Sequence, residues 1–422
     1  MALCLQPDTV LPMESSHARS YPLVFPHSRL RSWSWRRFGS LIAVLAFMYA
    51  AATVVRVVVR KHYLFLPGYL TWTFTPAPVP SGPVHVMLLF TDHFEPNRQL
   101  SVAQEWIDRY KSMASRHRDA DGRPPQHTWF YPAEQYEPGI MRLLHDTSRA
   151  GFGEIEFHFH HDYDTAETLR PKLVQALSQF AAFGFNRTID GQTRFAFLHG
   201  NFGLDNANGP FYCGVSTELS MLRELGAFAD FTFPSLYMDS QPRTVNQIYA
   251  ARDDERPKSY DTPLPLSALR TGDADLMIFE GPLIFNPTLN PRRLFLELDD
   301  GDIHPAMQAS PRRADAWVRA NVHVPQRPEW VFIKLFGHGA ETPEDMEAVT
   351  GSEFDETLDY LERNYNDGRK YVLHYVTARE AYNIAMAAVD GRSGNPANYL
   401  DYVVPPYVSS SRGTAVPVAP RE

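Results

Sequence analysis

The chain has 422 residues, 44% hydrophobic and 21% charged, with 34 prolines, 24 glycines and a formal charge of −9. Such a chain can bury a large core, which excludes disorder over most of its length, and the acidic balance excludes a general nucleic-acid binder. The only cysteines are Cys4 and Cys213, too few for a disulfide framework or a cysteine-based zinc site.

Residues 1–38 form an aperiodic tail that ends among Arg29, Arg31, Arg36 and Arg37. Residues 39–59, GSLIAVLAFMYAAATVVRVVV, carry one charge, Arg56, and approach the roughly 20 apolar residues a membrane helix needs. A buried soluble helix or a cleaved leader are the alternatives. A retained single-pass membrane helix is the preferred reading, with Arg56 snorkelling at its far end. The arginines before it place the N-terminus in the cytoplasm and the rest outside the cell membrane, in a periplasmic or extracellular location. Residues 60–83 read as a proline-rich linker, extended over 66–83.

From residue 84 onward, short apolar runs alternate with helical stretches. Strands are expected at 84–90, 127–131, 154–158, 194–199, 229–233, 276–279, 331–336 and 371–376. Helices are expected at 102–116, 166–183 and around 354–365, with capping boxes at Asp164/Glu167 and Thr377/Glu380. This alternation predicts an α/β fold, most simply a (β/α) barrel over 84–390, followed by an extension and loose tail over 391–422.

Working residues of such a fold gather at the carboxyl ends of its strands. The first strand runs into Thr91, Asp92 and His93. The third runs into FHFHHDYDT, where alternation places Ile155, Phe157 and Phe159 on one face and Glu156, His158 and His160 on the other. Histidines at i and i+2 on a strand can reach one cation, and imidazole and carboxylate are zinc's usual ligands where cysteine is absent. His158 leads the candidates, with His160 and His161 next, while Asp164 reads as a helix cap. The fourth strand leads to His199, Gly200, Asn201, Asp205 and Asn206, with the glycine leaving room for close approach of a substrate. His338, between Gly337 and Gly339, is a candidate general acid on an open loop. Lys334, Glu341 and His374 read as structural or substrate-contacting, and His127 starts its strand, at the wrong end for this site. Trp129, Phe130, Tyr131, Phe211 and Tyr212 could stack on sugar rings, although each alone is more often an ordinary core or loop aromatic.

In the order of these motifs the chain resembles the glycoside hydrolase/deacetylase superfamily, in particular polysaccharide deacetylases of the NodB-homology type. TDHF (91–94), HFHHD (158–162), the glycine loop at 199–201 and His338 carry the resemblance. It is also similar to a group of uncharacterised bacterial proteins with stretches like PPQHTWFYP and HGNxxLDN.

The resemblance implies a distorted (β/α) barrel of seven or eight strands and a divalent metal, usually Zn2+. It also implies hydrolysis of N-acetyl groups on a carbohydrate polymer of the cell envelope or one destined for export. Carried over, Asp92 is the catalytic base and His338 the catalytic acid. His93, His158, His160, His161 and Asp162 supply the candidate metal ligands, with Asp162 standing where the family has its second histidine. His199, Asn201 and Asp205 line the substrate side. Two rivals stand beside this reading: a glycoside hydrolase using paired carboxylates such as Asp92 and Glu280, and a non-catalytic, membrane-tethered carbohydrate-binding component of an export machine.

Overall fold

The computed structural model describes residues 35–80, 82–286 and 297–407. The tail before residue 35 and the expected loose tail from residue 408 lie outside the described residues. The helix Trp35–Val59 contains a stretch, Phe38–Val59, that is long and apolar enough to cross a membrane and is not buried. The chain divides into two compact units within this helix, Met1–Val54 and Val55–Glu422.

The expected extended linker is instead partly helical. Leu66–Phe74 forms a helix with Pro67 in its first turn, where the missing N–H costs nothing. Only the stretch after it is extended enough to act as a spacer.

Among the described residues twelve strands follow: β1 (Val84–His93), β2 (His127–Pro132), β3 (Gly153–Phe159), β4 (Phe195–His199), β5 (Ala227–Asp230), β6 (Gln247–Ala251), β7 (Leu276–Glu280), β8 (Ile284–Phe285), β9 (Leu298–Asp299), β10 (His323–Val324), β11 (Arg327–Gly337) and β12 (Tyr371–Tyr375). Ten of them make one sheet in the order β10-β11-β1-β2-β3-β4-β5-β7-β6, with β12 beside the first half of β1. Pairing is parallel except at the two ends, where β10 and β6 run antiparallel to their neighbours. The fold is therefore mixed α/β around a mostly parallel sheet. Among the described residues the count of ten strands exceeds the expected seven or eight, and β6, β10 and β12 each pair with one strand only, so the pairing does not confirm a barrel.

Period-2 alternation sorts the side chains onto two faces. Val86, Leu88, Phe90, Ile155 and Phe157 join one core with the helices Leu100–Ala114, Pro138–Arg149 and Ala166–Ala181. Met87, Leu89, Leu198, Phe279 and Phe332 join a second core with the wholly buried face of the helix Ala378–Val389. That helix is opened by the expected Thr377/Glu380 box. It is pinned to β3 by Arg379, whose guanidinium donates to Glu154 at 2.8 and 3.1 Å. The other box is shifted by one residue: Thr165 is the N-cap with Thr168 as its partner, while Asp164 accepts from Thr168 and Lys172. Part of the expected extension, 391–407, packs against the body, ending in a hydrogen bond from the Tyr407 hydroxyl to Glu156 at 2.6 Å.

Candidate metal centre at the carboxyl ends of β1 and β3

Alternation decides which side chains meet at the strand ends. His93 lies on the same face as Met87 and Leu89, and the next residue of that parity, Glu95, follows just beyond β1. On β3, His158 shares that face, and His160 continues it past the strand end. These four side chains converge on one carboxylate oxygen. Glu95 Oε1 is 3.2 Å from His158 Nε2, 3.7 Å from His160 Nε2 and 3.8 Å from His93 Nδ1. His338, at the end of β11, stacks on the His93 ring with centroids 4.4 Å apart, and Phe202 packs on the same ring at 4.9 Å. Glu134, just past β2, accepts from His160 Nδ1 and from the His160 backbone N–H. His93 and His158 are buried, whereas the side chains of Glu95 and His160 keep 15% and 27% of their exposure, so the cluster opens to solvent on one side.

Proton bookkeeping shows what this cluster is built for. His158 Nδ1 lies 3.0 Å from the Leu198 carbonyl, which can only accept, so Nδ1 carries the hydrogen. Burial pushes the His158 imidazole below its ordinary range, against the opposing pull of Glu95. The neutral ring then aims the lone pair of Nε2 at a carboxylate oxygen 3.2 Å away, two acceptors face to face. His93 Nδ1 is buried with no hydrogen-bond partner among the described residues. Burial first, then the neighbouring His338, His158 and His160, drive its pKa well below the ordinary value. Burial favours protonation of Glu95, but the neighbouring His158, His160 and His338 outweigh it and hold the carboxyl below its ordinary range. Such a set of lone pairs is satisfied by a cation. Two ligand atoms about 2.0–2.1 Å from a tetrahedral zinc lie about 3.3 Å apart, close to the 3.2 Å between His158 Nε2 and Glu95 Oε1, with His93 Nδ1 further out at 3.8 Å. The Leu198 contact also supplies the second-shell bond that orients a ligating histidine. The residues present therefore fit a divalent metal held by His93, Glu95 and His158.

A second group of metal-competent atoms, His161, His199, Cys213 and Glu218, is buried nearby with its donor atoms within 4.8 Å of one another. A single cysteine in a mixed set is a possibility that cysteine counting overlooked. Its hydrogen bonds, however, run the other way. His199 Nδ1 accepts the backbone N–H groups of Asn201 and Gly203 at 3.2 and 3.3 Å. Its hydrogen therefore sits on Nε2, which lies 3.8 Å from Glu218 Oε1, beyond hydrogen-bond distance, and in this tautomer offers no lone pair to a metal. Burial drives His199 down to about 3, so it stays neutral. Glu218 collects His161 Nε2 at 3.1 Å, the Cys213 thiol at 3.5 Å and the Asp205 N–H at 2.7 Å. This reads as a buried network that joins the ends of β3 and β4 to the loop before the helix Glu218–Leu225.

Several expected site residues thus fall elsewhere. Asp92, expected beside the metal as the base, faces the opposite side of the sheet from His93. It is fully buried, accepting from His127 Nε2 at 3.2 Å and the Gly339 N–H at 2.9 Å. His127 does start its strand, but β2 is staggered so that His127 pairs with Phe90, which brings it level with the end of β1. Gly339 is not a flexible hinge: a Cβ there would lie 2.8 Å from Trp106 Nε1 and 2.9 Å from Asp92 Oδ2. His161 turns away into the second group. Asp162 is exposed and belongs to neither group.

His199 and Asp205 are fully buried and so do not line a substrate surface, while the half-buried Asn201 holds its loop through its amide, which donates to the His161 carbonyl at 2.9 Å. Asp205 accepts from the Ser259 N–H at 2.6 Å, and burial raises its pKa to about 8. The space over Gly200 is taken by the His160 ring, since a Cβ would lie 2.3 Å from it. Glu95 and Glu134 were missed from sequence. Parity with His93 was a usable signal for Glu95; Glu134 lies on a 3-10 turn that no strand pattern reaches. The chain matches no protein-family model and no curated protein.

Proposed function

We propose that the chain is a membrane-anchored, metal-dependent hydrolase that removes N-acetyl or related acyl groups from a carbohydrate polymer outside the cell membrane. The observation that carries this reading is the lone pair of His158 Nε2 directed at Glu95 by the Nδ1–H bond to Leu198, with the unpartnered His93 Nδ1 beside it. A bound divalent ion, with zinc the best match to this donor set, would polarise a carbonyl and lower the pKa of water to about 7.

The chain's own residues do the rest. His93, Glu95 and His158 form the cradle. His160, half-open and fixed through Nδ1 by Glu134, presents Nε2 on the solvent side and takes the proton of the attacking water. This replaces the role expected of Asp92. His338, half-buried and stacked on His93, returns a proton to the leaving amine. The presentation of these groups at carboxyl ends of parallel strands supports a relationship to the deacetylase-like barrels.

The paired-carboxylate rival draws no support from the geometry. Asp92 and Glu280 are both fully buried, and Glu280 accepts from Gln241 at 3.1 Å and the Asn246 N–H at 2.6 Å. The test is acetate release from N-acetylated oligosaccharides by the full chain reconstituted with zinc. His160→Ala and His338→Ala are expected to abolish release with metal content kept. Release that survives both substitutions would overturn the assignment.

A further inference from the structure

We infer that residues 58–75 form a second membrane-contacting element, a short helix lying in the headgroup–acyl boundary of the bilayer that holds the globular unit against the lipid surface. The helix Leu66–Phe74, LPGYLTWTF, contains no charged residue. One side is fixed to the body: Phe65 and Tyr69 are buried with Val245, Leu283 and Leu298, and the Tyr69 hydroxyl accepts the Phe285 N–H at 2.9 Å. Gly68 lies so close to the Arg243 carbonyl that a Cβ would approach it to 1.9 Å.

The other side is apolar and uncovered. Tyr63, Pro67, Leu70 and Phe74 follow one another at helical spacing and are all exposed, Leu70 by 45% and Phe74 by 79%. The polar groups on this segment do not call for water. Thr71 and Thr73 donate their hydroxyls to the carbonyls of Pro67 and Tyr69 at 3.0 and 2.8 Å, and Thr75 donates to Thr71 at 2.7 Å. Back-bonding of this kind suits a threonine surrounded by lipid. Of the cations on and beside the stretch, Arg56 pairs with Glu297 at 3.3 Å and Lys61 with Asp239 at 2.6 Å, while the Arg60 guanidinium lies over the Tyr237 ring, 4.5 Å from its centroid.

Lipid is the occupant because the segment continues directly from a helix apolar enough to span a membrane: Tyr63 follows its last residue, Val59, by four positions. Tyr63, 50% exposed, also supplies an aromatic side chain of the kind favoured at that depth. The uncovered side of this segment would therefore contact lipid.

The experiment uses the full chain in phosphatidylcholine vesicles whose acyl chains carry nitroxide near the headgroup. Cys4 is replaced by Ser; Cys213 is buried and does not label. Leu70→Cys, Phe74→Cys, Phe47→Cys in the apolar helix and Ile189→Cys on the body surface are each labelled with a small fluorophore. Severalfold stronger quenching at 70 and 74 than at 189 is expected. Quenching at 70 and 74 no greater than at 189 overturns the inference, whether or not position 47 is quenched; quenching at 47 separates a body held clear of the bilayer from a chain that is not in the bilayer at all.

Discussion

Gly200→Ala puts the architecture of the metal centre to a sharp test. A Cβ at this position would sit 2.3 Å from both Cγ and Cδ2 of the His160 ring and 2.7 Å from Nδ1. Ordinary carbon contact begins near 3.4 Å, so the ring must withdraw by roughly 1 Å in a packed setting that does not yield freely. Withdrawal separates Nδ1 from Glu134 and moves Nε2 off its position 3.7 Å from Glu95. Overpacking of this kind costs about 1–3 kcal/mol of stability. A misplacement of about 1 Å at a reacting group costs on the order of 10²-fold in turnover.

The assay is a double-mutant cycle read by urea denaturation, with zinc affinity measured by competition against a chelating dye. In a His160→Ala background the ring is gone, and Gly200→Ala is expected to become nearly neutral in stability. If Gly200→Ala destabilises both backgrounds equally, His160 does not occupy the space above residue 200 and the site geometry argued here is wrong.

Other outcomes follow from the same structure. Asp92→Asn should lower thermal stability, because the buried carboxylate holds both His127 and the Gly339 N–H, yet it should leave zinc stoichiometry unchanged; loss of metal would restore Asp92 to the site. Arg379→Met should cost about 3–5 kcal/mol in urea unfolding, since it leaves Glu154 buried beside the helix Ala378–Val389 without its main counter-charge; a change below 1 kcal/mol, roughly what an exposed pair is worth, would contradict this.

His117 has its ring between Asp355 at 2.8 Å and Glu362 at 3.2 Å. Burial disfavours its charge, but the hydrogen bonds and charges of Glu362 and Asp355 outweigh that and raise its pKa. A raised folded-state value means stabilisation present in full below about pH 6.5, the unfolded value, and lost as pH rises through the folded value. The stability difference between the parent and His117→Gln should therefore be largest in mild acid and shrink toward alkaline pH; a difference that grows with pH would refute the clamp.

Much of the framework was legible because it rests on short-range rules. Period-2 alternation placed His158 and His160 on the face opposite Ile155 and Phe157, as observed, and the helix expected at 166–183 is found at Ala166–Ala181. What was not legible depends on register and on loops. Alternation separates Asp92 from His93, but adjacency in sequence suggested that they would act together. The stagger of β2 brings His127 up to Asp92, and no single-strand pattern reveals a stagger. Glu134 and Glu218, two of the carboxylates that organise the histidine groups, stand outside strands, where spacing carries little information, whereas Glu95, just past β1, keeps the parity of His93. The strand total also escaped the sequence reading. β8, β9 and β10 have two residues each, too few to show any periodicity, and Gln247–Ala251 alternates weakly.

Metal content is the most direct measurement of the central claim. The full chain, purified without chelator and equilibrated with zinc, should hold close to one equivalent by elemental analysis. Glu95→Gln and His158→Ala should each abolish it, while His199→Ala and Cys213→Ser should retain it. A parent protein that binds no metal, or a metal lost with Cys213 and His199 but kept without Glu95, would contradict the account.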